Sequence, residues 1–323
     1  MEIFKHDAAF DFLKWRRVSL VISALLVLLS IGAIVTRGLN YGLDFTGGIL
    51  ISVKYEQPVD ISEVRSALDT AGFDHAMVQS VGGAREVSIR LQPSRDKAAA
   101  ADDAGTVKQS DKVAADVMAA LKAKRADATM SRDPDFVGPE VGDELKSDGV
   151  TAVIFVIIGI MIYIGVRFEW RFAIAAIASE FHDTILTIGF YAFTQHEFDI
   201  TVLASVLAVV GYSINDKVVV FDRVREIFRA TRKGEPVDIL NKAINSTLSR
   251  TIITSVFTGI TMIALYFFGG PAVHGFALTM IIGIVIGTLS SIFFANPILL
   301  WLGVSKKDLM PVTRDNPELA RRP

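Results

Sequence analysis

The stretch LASVLAVVGYSINDKVVVFD, from Leu203 to Asp222, decides how this sequence is interpreted. Its 20 residues are mostly apolar and long enough for a helix to cross a lipid bilayer. Nevertheless, Asn215, Asp216 and Lys217 follow one another inside it. A charge at the bilayer centre costs about 2.5–3.5 kcal/mol even on the lenient insertion scale, so such residues mark functional sites. The stretch therefore predicts a membrane helix that carries a functional polar site.

The composition of the whole chain agrees with a membrane protein. Of its 323 residues, 51% are hydrophobic, and the mean hydropathy is +0.43. The formal net charge of −2 argues against a nucleic-acid partner, which would need clustered basic surface. The chain has no cysteine, which excludes disulfides and thiolate metal sites. No cofactor and no metal are expected.

Six apolar segments of about 18 to 25 residues are predicted to cross the membrane as helices. The predicted fold is thus a multi-pass α-helical membrane protein with one α+β domain outside the bilayer, between the first two spans. The spans are predicted at Val18–Thr36, Asp148–Val166, Phe172–Thr194, Ile200–Phe221, Thr251–Phe268 and Phe276–Leu302.

Lysine and arginine residues predict the orientation. They cluster before the first span, in the turn between the second and third spans, between the fourth and fifth spans, and after the sixth. The short loops on the other side, 195–199 and 269–275, contain neither residue. This positive-inside pattern places both termini, 1–17 and 303–323, in the cytoplasm. The segment 222–250 has an amphipathic start and is predicted to lie as a loop along the cytoplasmic membrane surface.

The segment 37–147 is predicted to form the domain outside the bilayer. Its patterns alternate as β-α-β-β-α-β, the order of the split βαβ, ferredoxin-like arrangement. The first strand is GGILISVKY, the helices are DISEVRSALDTAG and SDKVAADVMAALKAKRA, and the last strand is ATMSRDPDFVG. An alanine- and aspartate-rich insert near 97–109 has low complexity and is expected to be floppy.

The glycines of YGLDFTGG, Tyr41 to Gly48, could indicate a phosphate-binding loop. Such a loop needs a following Lys-Ser/Thr and a helix, whereas a strand pattern follows here. The stretch is instead expected to be a joint where the first membrane helix turns into the outside domain. Its residues Asp44, Thr46, Gly47 and Gly48 are the candidates for that role.

Asp216 is the leading candidate for the polar site. It lies roughly five residues from the end of its span, with Tyr212 one turn away on the same face and Asn215 beside it. Its carboxyl group is interpreted as a proton carrier, and the alternative is an ion pair that only holds helices together. Lys217 points about 100° away and is predicted to snorkel to the cytoplasmic water.

The third span contributes three further ionisable residues, Glu180, His182 and Asp183. Three such groups cannot all face lipid. Asp183 is the better candidate for the proton path, whereas Glu180 and His182 could equally be satisfied interhelical hydrogen-bonding groups.

Arg250 opens the fifth span, and Thr254 continues a polar stripe along it. Two roles stay open for Arg250, an ordinary positive-inside anchor and an ion-pair partner of Asp216. In the sixth span, Gly283, Gly287, Ser291 and Ala295 repeat at every fourth position and predict close helix packing.

Five stretches, in order along the chain, together resemble the SecF family of the bacterial Sec protein-export system. They are LDFTGG, FVGPEVGDEL, GYSINDKVVVFDRVRE, SRTIITS and FGGPAVHGF. The resemblance covers nearly the whole chain. It implies membership of the resistance-nodulation-division superfamily of proton-driven transporters and no enzymatic activity. It also implies a SecD partner with six similar spans, and association with the SecYEG channel, YajC and the exported unfolded polypeptide.

In that family the aspartate of SIND, here Asp216, and the arginine of RT, here Arg250, are held to serve proton conduction. The resemblance thus implies a subunit of the bacterial inner membrane in which proton flow moves the outer domain during the late stage of export. Three alternatives remain from the residues alone: a related exporter of lipids or small molecules, a non-conducting scaffold for SecD, and an intramembrane aspartyl protease using Asp183 and Asp216. The usual flanks of the protease aspartates are missing.

Overall fold

The computed structural model describes residues 10–73, 76–80, 84–91, 103–231 and 234–305. Within them, six helices are long and apolar enough to cross a membrane, which confirms the six predicted spans. The elements are α1 (Arg16–Arg37), β1 (Asn40–Tyr41), α2 (Leu43–Thr46), β2 (Gly48–Lys54), α3 (Ile61–Thr70), β3 (Met77–Ser80), β4 (Glu86–Leu91), α4 (Asp103–Lys124), β5 (Thr129–Met130), β6 (Asp135–Val137), α5 (Pro139–Arg167), α6 (Trp170–Thr194), β7 (Glu197–Phe198), α7 (Ile200–Ala230), α8 (Pro236–Phe268), α9 (Pro271–Ser290) and α10 (Asn296–Trp301).

The six long helices divide into an inner and an outer set. In the most apolar 18 residues of each span, the share of buried residues is 56% for α6, 44% for α7 and 50% for the span that contains α9. The same share is 6% for each of the spans formed by α1, α5 and α8. The charged residues of the spans lie mainly on α6 and α7. The chain thus places its intramembrane charges in the inner helices and turns apolar side chains outward. Such side chains suit contact with lipid, where an exposed charge would be costly.

The sixth span is not a regular α-helix throughout. A π turn, Ser291–Ala295, joins α9 to α10. In this turn Asn296 Nδ2 donates to the main-chain oxygen of Ser291 at 2.6 Å. Single π turns inside helices are frequent at functional sites. This one lies against α6, where it carries an aromatic contact described below.

The predicted loop 222–250 differs from the structure. The helix α7 continues to Ala230, and α8 already begins at Pro236. The added turns bury apolar side chains such as Val224, Ile227, Leu240 and Ile244 in one core with the inner helices. An amphipathic pattern fits packing against a neighbouring helix as well as it fits a membrane surface. In the structure these turns pack against neighbouring helices and not along a membrane surface.

The outside domain, or sheet domain, consists of a sheet and two helices, α3 and α4, in the described residues, as predicted. The strands lie in the order β3-β4-β2-β5, β6 also pairs with β2, and all these pairs are antiparallel. This is the split βαβ order, with β5 and β6 together forming the last strand. Its separate core includes Ile51, Val53, Leu68, Val117 and Leu121. Part of the predicted floppy insert, from Asp103 onward, belongs to α4, and residues 97–102 lie outside the described ranges.

The helices α7 and α9 pack closely because α9 has glycines at the contact. A Cβ atom on Gly283 would meet the side chain of Val209 at 2.2 Å, and one on Gly287 would meet Ser213 Oγ at 2.7 Å. This confirms the predicted small-residue face at Gly283 and Gly287, whereas Ser291 and Ala295 lie in the π turn. Its consequence is that Ser213 and Ser290 can reach the same carboxylate.

We expect Gly283→Ala to destabilise the helix bundle by about 1–3 kcal/mol, because the new methyl group overpacks the α7–α9 contact. The matched control is Gly259→Ala in α8, where a Cβ atom would meet no atom within 4 Å. The control should be neutral or slightly stabilising. Unfolding of the two variants in detergent micelles compares them, and equal stability would refute the close contact.

Candidate functional site

Lys217 is the centre of a buried polar cluster, and its predicted position was wrong. Its side chain is fully buried rather than extended toward water. Lys217 Nζ donates to Asp183 Oδ2 at 2.8 Å and to the two oxygens of Glu180 at 2.9 and 3.2 Å. An ammonium group can stay inside a membrane protein when acidic side chains lie within contact, and α6 supplies two such side chains.

Asp183 is the best-satisfied acid of the cluster. Its Oδ2 atom accepts from Lys217 Nζ at 2.8 Å, and from Ser213 Oγ and Ser290 Oγ at 2.6 Å each. Its Oδ1 atom lies 2.8 Å from His182 Nδ1. A carboxylate offers about four lone-pair positions, and Asp183 has four donors, three at Oδ2 and one at Oδ1. The arrangement joins α6, α7 and α9 at one atom.

His182 completes the cluster on the side of the π turn. Its ring stacks on Phe294 with the ring centroids 4.1 Å apart. Its Nδ1 atom faces Asp183, while Nε2 is buried without a hydrogen-bond partner among the described residues. Nδ1 therefore carries the proton that it donates to Asp183, and a neutral ring leaves no unpaired N–H. The π turn thus positions Phe294 to orient the histidine.

Asp216 lies on a different side of α7 and faces α8. Thr251 Oγ1 donates to Asp216 Oδ1 at 2.5 Å. The second oxygen, Oδ2, is buried and has no hydrogen-bond partner among the described residues. The side chain as a whole is half-buried, and the adjacent Asn215 is exposed. Asp216 therefore has one oxygen bonded to Thr251 and one without a hydrogen bond among the described residues.

The other predicted residues of this face lie near Asp216 without closing a charge pair. Arg250 is exposed, and it makes no ion pair within the described part of the chain. Its main-chain oxygen accepts from Thr254 Oγ1 at 2.9 Å. Tyr212 OH donates to Ser255 Oγ at 3.3 Å. The ion pair between Arg250 and Asp216, one of the two roles considered for this arginine, is therefore not formed here.

The glycine corner at Asp44–Gly48 is a packed joint. Gly47 and Gly48 have φ angles of 66° and 126°, which favour glycine. Asp44 Oδ2 accepts from the main-chain N–H of Ile200 at 3.0 Å, at the first residue of α7. Thr46 Oγ1 donates to the main-chain oxygen of Gly42 at 3.0 Å. The corner thus connects the end of α1 and the start of the sheet directly to the helix that carries Asp216 and Lys217.

A second connection joins the sheet to the turn between α6 and α7. The strand β1 pairs in parallel with β7, and Arg90 of the sheet forms an ion pair with Glu197. Burial raises the pKa of the Glu197 carboxyl group, and the Arg90 guanidinium acts in the opposite direction. The sheet domain is therefore attached to the inner helices through both charge and backbone contacts.

The structure brings Asp183, Glu180 and His182 together, and it places Asp216, Tyr212, Arg250 and Thr254 on another face. Sequence reasoning missed Lys217, Ser213 and Ser290 as members of the cluster. The spacing of Ser213 and Lys217, four residues apart on α7, was the available signal. Among the described residues, no group of three or more His, Asp or Glu side chains is arranged to hold a metal ion.

Comparison with known proteins assigns the family. The family model described as Protein export membrane protein SecD/SecF, C-terminal, matches residues 116–305, and the SecD/SecF GG Motif matches residues 32–59. A relative from Vibrio alginolyticus, Protein translocase subunit SecF, is 44% identical over 96% of this chain and 95% of its own length. The SecF of Pseudomonas aeruginosa is also 44% identical, over 93% and 94%. The chain belongs to the SecF family.

The solved structure of SecDF from Thermus thermophilus, described as a translocon-associated membrane protein, is similar in fold. It aligns with a TM-score of 0.78 and 32% identity over 93% of this chain. The chain spans 39% of the length of that SecDF chain. The GG motif includes the joint at Gly47 and Gly48, and the C-terminal match includes the whole buried cluster. Together with the six apolar helices, the family makes this a multi-pass inner-membrane protein.

Replacing Lys217 with Gln should destabilise the protein by about 3–5 kcal/mol, because the buried carboxylate of Asp183 loses the cation that pairs with it. Asp183→Asn in the same chain should recover part of this loss. Lys242→Gln, at an exposed lysine on α8, is the control. Unfolding by denaturant in micelles measures all three, and a Lys217→Gln variant as stable as the control would show that the ion pair contributes nothing.

Proposed function

We propose that this chain is an auxiliary subunit of the Sec protein translocase that uses the proton motive force, together with SecD, to promote the late stage of protein export. The family assignment supports a role in the Sec system. The observation that carries the proton part is Asp216, a half-buried acid in a membrane helix with one buried oxygen unpartnered among the described residues. Acids in that setting mark proton relays.

The driving force is large enough for such a role. One charge that crosses about 180 mV releases about 4 kcal/mol. A free energy of that size strongly biases a two-state equilibrium between domain positions. Protonation of Asp216 removes one charge from the α7–α8 contact. We propose that this change alters how α7 packs on its neighbours.

Movement of α7 has a direct route to the sheet domain. Asp199 caps the first turn of α7 by accepting from the main-chain N–H of Val202 at 2.7 Å. Asp44 of the joint accepts from Ile200 at the same end. A shift of α7 would therefore move this attachment of the sheet domain. This is the step by which proton movement would act on an exported chain.

The lysine and arginine distribution supports an orientation with the sheet domain in the periplasm and both termini in the cytoplasm. In this proposal SecD is the membrane partner, and the SecYEG channel, YajC and the unfolded polypeptide are the further contacts. The solved SecDF structure supports the pairing with SecD, because the likeness covers 39% of that longer chain.

The alternatives receive less support. A protease would need Asp183 and Asp216 to share one site, but Asp183 is bonded to Lys217 while Asp216 is bonded to Thr251 of α8. A related exporter of lipids or small molecules would share the family's helices. A passive scaffold for SecD would need no proton at Asp216. The first experiment below separates the scaffold from the transporter.

In reconstituted export with SecD, Asp216→Asn should abolish the stimulation by an imposed proton gradient while leaving insertion and SecD binding intact. The amide keeps the bond to Thr251 but cannot exchange a proton. The control is Asp238→Asn, at an exposed acid in the first turn of α8. If Asp216→Asn responds to the gradient as the control does, the scaffold reading stands and the proton proposal fails.

Arg250 is tested by two substitutions in the same assay. Arg250→Lys should impair gradient-driven export less than Arg250→Ala if only positive charge is needed. Equal impairment would show that the planar guanidinium group is required. Export by Arg250→Ala at the rate of the unsubstituted protein would remove this residue from the proton path.

A further inference from the structure

Glu180 and Asp183 share a single ammonium group, that of Lys217, inside the three inner helices. Their exposed fractions are 7% and 1%, and that of Lys217 is 0%. With both acids ionised, the cluster would carry one uncompensated negative charge. Burying such a charge in a medium of low dielectric is costly, so the group takes up a proton instead.

The other residues around the cluster do not supply the missing positive charge. The His182 ring donates through Nδ1, and in the described part of the chain nothing accepts from a second N–H, which fits its neutral form. The helix α1 has no ionisable side chain between residues 18 and 36, and α5 has no charged one between 149 and 166. The residues that α9 and the π turn contribute to the cluster are Ser290 and Phe294, which carry no charge. The titratable His274 lies near the other end of α9. On α7, the nearest acid, Asp216, faces α8.

The hydrogen bonds decide which acid holds the proton. Asp183 has donors at both oxygens, from Lys217, Ser213, Ser290 and His182. Among the described residues, Glu180 accepts from Lys217 alone, and its Oε2 atom is the farther of its two oxygens at 3.2 Å. A proton on Asp183 would displace one of its donors, whereas a proton on Glu180 Oε2 displaces only the longer contact. A carboxylate that accepts several bonds is the one that stays ionised.

We propose that Glu180 is a second proton-binding site, which holds a proton in this arrangement while Asp183 remains the carboxylate paired with Lys217. The ligand is a proton, and the site lies on α6, whereas Asp216 lies on α7. When Glu180 releases its proton, two carboxylates compete for one ammonium group, and the contact between α6 and α7 changes. This inference rests on the proposed function only for its part in export.

Infrared spectroscopy tests the site on the intact protein in lipid bilayers, with glutamate side chains labelled with ¹³C at the carboxyl carbon. At neutral pH we expect a protonated-glutamate carbonyl band that is lost in Glu180→Gln. It should persist in Glu226→Gln, an exposed acid of α7 whose side chain is 66% exposed. In the unsubstituted protein the same band should decrease as the pH is raised.

Glu180→Gln should fold, because the amide has the shape and charge of the protonated acid. Its stability should stay close to that of the unsubstituted protein, unlike that of Lys217→Gln. A spectrum without the band at neutral pH, or one in which Glu180→Gln leaves the band unchanged, would overturn the inference. Both results are measured without export. If Asp216→Asn does not block gradient-driven export, only the proposed function is overturned, so the two failures can be told apart.

Discussion

The ammonium group of Lys217, buried between two acids of α6, is the interaction on which the rest of the membrane part depends. An unpaired charge at that depth would cost several kcal/mol, so the neighbouring helices must keep their acids within contact. This fixes the register of α6 against α7. The same requirement draws in α9, because Ser290 bonds to the carboxylate of Asp183. Close approach of α9 is possible only because Gly283 and Gly287 carry no side chain.

Two polar sites therefore share the helix α7 and differ in character. The Lys217 site is closed, with serine, histidine and lysine donors around one carboxylate. The Asp216 site is half-buried, and Oδ2 of Asp216 has no hydrogen-bond partner among the described residues. We propose that the two sites are coupled through α7, because side chains of that helix form both of them. The sheet domain is attached at the start of α7, where Asp44 accepts from Ile200, and just before it, where Arg90 forms an ion pair with Glu197.

Much of this fold could be predicted from local patterns. The six spans follow from length and hydropathy, the β-α-β-β-α-β order from period and caps, and the corner at Gly47 and Gly48 from the strand that follows it. Asp183 and Asp216 were identified because charges are rare inside membrane helices. The partner of Lys217 could not be predicted, because it depends on how α6 packs on α7. Snorkelling and burial both suit a long basic side chain, and only tertiary contacts distinguish them. The same ambiguity led to the wrong prediction of a surface loop at 222–250, where amphipathic turns pack on another helix.

The SecF family assignment and the buried cluster together make the charge state of Lys217 the decisive property. Solid-state NMR of the protein in bilayers, with ¹⁵N at lysine Nζ and ¹³C at the carboxyl carbons of aspartate and glutamate, measures it directly. We expect the chemical shift of a charged ammonium and dipolar contacts from Lys217 Nζ to the carboxyl carbons of both Asp183 and Glu180. A neutral amine, or an ammonium group in contact with neither acid, would contradict the buried ion pair on which the packing of the inner helices is argued to depend.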